Sequence, residues 1–153
     1  MMTDLKYRSV LVLVAPLLVL WACISLSPVL QAQAKKEKAI VVQYLEIVTA
    51  DVDTTCSALE SVHGVRFGKP VAEFGNARTA TLKGGGQIGV RAPMREDEKP
   101  VVRPYVLVDN IEAALKAAEA AGGHIAMATT EIPGHGKFGI YIQGGIDYGL
   151  WEL

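Results

Sequence analysis

The chain has 153 residues, with 15 Lys and Arg against 16 Asp and Glu and a formal net charge of −1. That is the length of a single domain. The charges are mixed and form no basic stripe, which argues against nucleic acid as a partner.

Lys6 and Arg8 precede the apolar run "VLVLVAPLLVLWACI", and Ala32-Gln33-Ala34 forms a small-x-small site before "KKEK". That order is the pattern of a secretory signal peptide. Pro16 interrupts the run, which falls short of the ~18 uncharged residues of a spanning helix. Residues 1–34 therefore read as a leader removed after Ala34, leaving an exported domain, periplasmic or secreted, over 35–153. Two alternatives use the same segment: an uncleaved N-terminal anchor, or lipidation at Cys23, since "LWAC" loosely resembles a lipoprotein box. Membrane contact would run through this segment alone. Cleavage leaves Cys56 as the sole cysteine, so the domain rests on its core rather than on internal disulfides. Cys56 lies in a helical pattern and reads as a small buried side chain.

The first part of the domain reads as a strand over 40–49, a helix over 52–63, and strands near 65–74, 77–83 and 86–92. "APMREDEKP", charged and holding two prolines, reads as a linker. "YVLV", β-branched and aromatic, is a strand. Asp109 or Asn110 caps the helix that follows, whose Ile111, Ala114, Leu115 and Ala118 form one apolar face. Gly122-Gly123 ends it. "HIAMA", "KFGIYIQ" and "YGLWEL" are three further strands.

The domain is written twice. Laying Asp51 on Asn110 puts Val52 on Ile111, Leu59 on Ala118 and Gly64 on Gly123, and "TATLKGGGQIGV" lies over "GIYIQGGIDYGL" at nearly the same spacing. Such self-similarity points to an internal duplication. Each copy reads βαβββ, over about 39–92 and 101–153.

Two such units, with "VTADVD" and "VDNIEAAL" at the strand-to-helix corners and "GLWEL" at the end, resemble the vicinal oxygen chelate superfamily. That superfamily includes glyoxalase I, bleomycin-resistance proteins and extradiol dioxygenases, and the ending is most similar to its glyoxalase-like branch. The resemblance implies an α+β fold in which the two units form curved, cup-like mixed sheets with helices on the outer face, and it implies a homodimer. Metal-dependent members carry a His or Gln on each unit's first strand and a Glu on its last. Those positions fall on Tyr44, Arg103, Gly89 and Gly149, a set that cannot hold a divalent ion. No metal and no cofactor are expected.

Strand alternation puts Tyr44 and Glu46 on one face of the first strand, and Arg103 and Tyr105 on the equivalent face of the fifth. Trp151 shares the face of Gly149, and the two glycines open volume where the metalloenzymes place glutamates. An arginine in the cup needs a carboxylate partner or an anionic ligand, and Glu46 is its best internal candidate. Glu152 points away from the cup, toward solvent or a helix edge. His135, in the turn sequence "PGHG", borders the mouth. Tyr44, Glu46, Arg103, Tyr105, His135 and Trp151 are therefore the candidate binding residues. They suit a small, partly apolar or anionic molecule. Two rival readings stand beside this one: a lyase, isomerase or dioxygenase, using metal or Tyr44 and Glu46 as an acid–base pair, and a structural or interaction protein whose aromatics simply fill the cup.

Overall fold

The computed structural model describes residues 39–153, so the leader expected over 1–34 lies outside the described residues. The chain runs β1 (Val42–Val48), α1 (Val52–His63), β2 (Pro70–Val71), a 3-10 turn (Ala72–Phe74), β3 (Ala77–Thr81) and β4 (Gln87–Arg91). It continues through β5 (Val101–Leu107), α2 (Ile111–Ala120), β6 (His124–Ile132), β7 (Gly136–Gln143) and β8 (Ile146–Glu152). The strands form one open eight-stranded mixed sheet in the order β2-β3-β4-β1-β5-β8-β7-β6. Among the described residues no helix is long and apolar enough to cross a membrane.

The two halves pair alike. β1 runs parallel to β4 with Glu46 beside Gly89, and β5 runs parallel to β8 with Tyr105 beside Gly149. The halves join through the antiparallel pair β1 and β5, where Glu46 faces Arg103 and Tyr44 faces Tyr105. Side chains on each strand alternate between a concave face and a face covered by the helices.

Both helices start and stop as their sequences dictate. Asp51 accepts a hydrogen bond from the Thr54 amide, and Gly64 closes α1 at φ 65°, where only glycine is free of strain. At α2 the cap is Asn110, whose Oδ1 accepts from the Ala113 amide at 2.7 Å. Cys56 on α1 is fully buried against Phe67, Ala80, Ile88 and Val90. Ile111 and Leu115 on α2 pack on Leu150. These two clusters fix the outer faces of the halves. The concave face is filled by a third cluster of Tyr44, Tyr105, Ile132, Ile140 and Trp151, with Phe74, Leu107 and Phe138 against it.

Two expectations change. The strand read over 65–74 is paired only at Pro70–Val71 and then tightens into the 3-10 turn. Pro70 lacks an amide to donate, and Gly75 and Asn76 both adopt positive φ, which ends the extended run. That turn carries Phe74 over the concave face. The linker at 92–100 is not a mere spacer either, since its Met94, Arg95 and Glu98 line the cup.

Candidate functional site

The concave face encloses a cavity of about 180 Å³. Tyr44, Phe74, Tyr105, Phe138 and Trp151 make its aromatic wall, and Ile132 and Ile140 add aliphatic surface. Most of the rings meet edge-on or tilted, with Tyr44 5.7 Å from both Tyr105 and Trp151 and Tyr105 5.9 Å from Trp151, while Phe138 stacks on Trp151 at 6.3 Å. Such tilted pairs favour a fixed wall, because each ring's edge sits on another's face.

Opposite the wall is a chain of alternating charges. Glu46, Arg91 and Arg103 are 6%, 3% and 7% exposed, so all three charges are out of water. Arg91 Nε donates to Glu46 Oε1 at 2.6 Å, and Arg103 Nη1 donates to Glu46 Oε2. The Tyr105 hydroxyl donates to the same Oε2 at 3.1 Å. Each arginine is capped on its other side from the rim. Glu98 takes Arg91 as a fork, at 2.9 and 2.7 Å, and Asp147 takes Arg103 Nη2 at 2.7 Å. A buried charge without partners costs several kcal/mol, so the rim carboxylates complete what one Glu46 cannot neutralise alone.

The electrostatics follow from that chain. Burial pushes the Tyr44 and Tyr105 phenols well above their ordinary range, and the neighbouring Glu46 charge adds to it. Burial opposes the charge on Arg91, but its bonds to Glu98 and Glu46 outweigh that and hold it protonated. The Arg91 hydrogen bonds pull Glu98 down from an ordinary 4.5 to about 2. A carboxylate so depressed stabilises the fold fully above its unfolded value and loses that contribution as pH falls through its folded value. Glu98→Gln is therefore expected to cost about 2–3 kcal/mol near neutrality. In urea melts at stepped pH, the gap between variant and wild type should close as pH drops from about 4.5 toward about 2. A gap that stays constant over that window would show that Glu98 does not carry the effect.

Five of the six sequence-derived candidates, Tyr44, Glu46, Arg103, Tyr105 and Trp151, line this one cavity. His135 does not. It lines an adjoining cavity with Gln43, Gln87 and Leu153, beyond a shared partition of Tyr44, Phe74 and Trp151. Its ring packs on Phe74 at 4.7 Å, and its carbonyl accepts the Trp151 indole N–H at 3.0 Å. The side chain at 135 thus orients the wall from behind. Glu46 is the partner of Arg103 that the facing strands require. Glu152 leaves the cup altogether: one oxygen accepts the first amide of α2, from Ile111, at 2.7 Å, and the other meets Lys137. A carboxylate at a helix N-terminus satisfies an orphan donor and the helix dipole together.

The glycines act differently from the sequence reading. They do not leave open volume, because the tyrosines occupy it: a Cβ on Gly89 would overlap the Tyr44 hydroxyl, and one on Gly149 would overlap the Tyr105 ring. Arg91, Glu98, Asp147, Phe74 and Phe138 were not among the candidates. Arg91 was within reach of the repeat, since it follows Gly89 as Trp151 follows Gly149. Two polar atoms in the lining residues, Tyr44 Oη and Arg103 Nε, are buried and have no hydrogen-bond partner among the described residues. Nor, among those residues, do three or more His, Cys, Asp or Glu side chains gather where they could hold a metal ion.

The open curved sheet, with its two like-paired halves, is the vicinal oxygen chelate fold. A hypothetical protein from Bacillus halodurans C-125 superposes with a TM-score of 0.59 at 12% identity, over 76% of this chain and 96% of that one. Methylmalonyl-CoA epimerase from Mycobacterium tuberculosis, a member of that superfamily, gives 0.55 at 16% identity over 72% and 85%. A methylmalonyl-CoA epimerase in complex with methylmalonyl-CoA and ammonium gives 0.55 at 14% identity over 75% and 95%. At the level of sequence no family model and no curated protein matches the chain.

Proposed function

We propose that this is an exported, metal-independent small-molecule-binding protein of the glyoxalase-like branch, acting as a homodimer. The observation that carries the binding reading is the cavity itself: an aromatic wall facing a fully charged floor, with two buried polar atoms unpartnered among the described residues. A native buried donor without a partner costs about 1–3 kcal/mol, so such atoms mark a place for water or a ligand. The size suits one ring with a small substituent, since an apolar cavity of roughly 150 Å³ holds benzene.

Metal independence rests on what fills the family's ligand positions. Tyr44 and Arg103 project into the cup there, the latter already paired with two carboxylates, and the spaces over Gly89 and Gly149 hold tyrosine rings. A divalent ion would find a guanidinium where it needs a lone pair. The catalytic alternative is less well supported by the same geometry. Glu46 has both oxygens engaged, Oε1 by Arg91 and Oε2 by Arg103 and Tyr105, which leaves it poorly placed to take a proton from a substrate.

Thermal melts test both parts of the reading. A ligand that binds only the folded state raises stability by RT ln(1 + [L]/Kd), about 2.7 kcal/mol at a hundredfold excess over Kd. Neutral one-ring compounds such as benzamide are expected to raise the melting temperature in a dose-dependent way. Nickel, zinc, iron and manganese are expected not to. A rise with one of those ions, reversed by a chelator, would overturn metal independence. A flat response to every small molecule would leave a packed cup and a structural role.

A further inference from the structure

Glu98 is the one carboxylate of the charge chain that does not belong to a strand. Glu46 lies within β1, and Asp147 lies in β8, where it is paired with Ile142 of β7. Glu98 sits on the segment 92–100, between the end of β4 and the start of β5. The hydrogen bonds that tie this segment to the sheet are made by Arg91, to the Glu98 carboxylate and to the Ala92 carbonyl at 3.1 Å. Glu98 also accepts the Met94 amide at 2.7 Å, which folds the segment back on its own carboxylate. Met94 in turn lies over Gly75, at the end of the turn that carries Phe74. The segment therefore closes the cup, and one side chain latches it.

What that side chain occupies is an anion seat. Arg91 offers Nη1 and Nη2 as a fork, the geometry in which a guanidinium binds a carboxylate most tightly, and it is held in place from behind by Glu46 through Nε. We propose that segment 92–100 is a strap and that Glu98 is an internal stand-in for the ligand's own carboxylate, which binds by taking its place on Arg91. This rests on the binding reading above and narrows it to a class: a carboxylate carried on a one-ring apolar body.

Three observations favour the exchange. It swaps one carboxylate for another, so no buried charge is left unpaired while the ligand is in place. The displaced Glu98 goes to water on a segment that is otherwise mostly exposed. Arg91 and the aromatic wall line the same cavity, so a molecule with its carboxylate on Arg91 has aromatic surface for its ring in the same chamber. Asp147 is no rival latch, because its strand pairing fixes it and it does not line that cavity.

The test compares benzoate with its neutral analogue benzamide, by calorimetric titration of the full chain and of Glu98→Gln. A tethered group competes at an effective concentration in the millimolar range, so removing its charge should strengthen the external ligand. Benzoate is expected to bind Glu98→Gln at least about fivefold more tightly than wild type, the low end of coupling between linked sites. Benzamide, with no charge to place on Arg91, should show no such gain. Hydrogen exchange on the wild type gives a second reading that needs no variant: saturating benzoate should speed exchange of the Met94 amide, and benzamide should not. If benzamide binds but benzoate gains nothing from Glu98→Gln, or Met94 stays protected, the strap is overturned and the binding site stands. If neither compound binds either protein, the binding reading falls and the strap with it.

Discussion

Glu46→Ala is expected to be the most damaging single substitution in the domain, costing at least about 3–5 kcal/mol and leaving little folded protein in mild urea. One carboxylate holds two arginines that are almost wholly buried, so its loss leaves buried donors on both guanidiniums unsatisfied at once, each arginine keeping its rim carboxylate alone. Neither rim carboxylate can move in to replace it, because each already engages the opposite side of its arginine. Glu46→Gln keeps the shape and one acceptor, and should cost less than alanine but more than Arg103→Ala. The reason lies in the number of buried ionic contacts weakened: removing Arg103 leaves Glu46 with Arg91, whereas the glutamine weakens the inner contact of both guanidiniums, which then keep only their rim carboxylates. Urea melts on the three variants give the order directly. A mild Glu46→Ala would mean that water reaches the floor of the cup and solvates both arginines.

Gly149→Ala should also be strongly destabilising, because the added methyl meets the body of the Tyr105 ring rather than a flexible tip. The ring cannot yield easily: Trp151 and Phe138 hold it at 5.9 and 6.0 Å, and its hydroxyl is bonded to Glu46. Overpacking of a closed core costs about 1–3 kcal/mol, and here it also threatens the hydroxyl's bond to the charged floor. Adding Tyr105→Phe to Gly149→Ala should recover little stability, since the ring and not the hydroxyl makes the clash. Adding Tyr105→Leu should recover more. Full rescue by phenylalanine would show that the strain is transmitted through the hydroxyl alone.

These effects mark how far the sequence could be read. The helices were legible to within a residue because Asp51, Asn110 and the glycines after each helix act locally, through caps and φ angles. The duplication was legible because both halves pair their strands in the same way, which keeps their spacing alike. Alternation was enough to place Glu46 and Arg103 on one face, and the antiparallel join of the halves sets them opposite each other. What was hidden depends on chain geometry with no local signature. Nothing in "REDEK" distinguishes Glu98 from Glu96, yet only the bend at 94–98 turns one of them onto Arg91. The glycines misled for a related reason: the absence of a side chain is visible in the sequence, while the neighbour that fills the gap is not.

The matched pairing of the halves also fixes where along the cup a bound molecule would point. Glu46 and Tyr105 hold equivalent places beside Gly89 and Gly149, and Arg91 and Trp151 follow those glycines at the same distance. Two copies of the first half would give a cup with two carboxylates, two arginines and no indole. Two copies of the second would set each arginine opposite a tyrosine and leave no carboxylate on the floor between them. Only unlike halves yield a single chamber with an ionic end and an aromatic end, so the drift between the repeats gave a symmetric scaffold a direction.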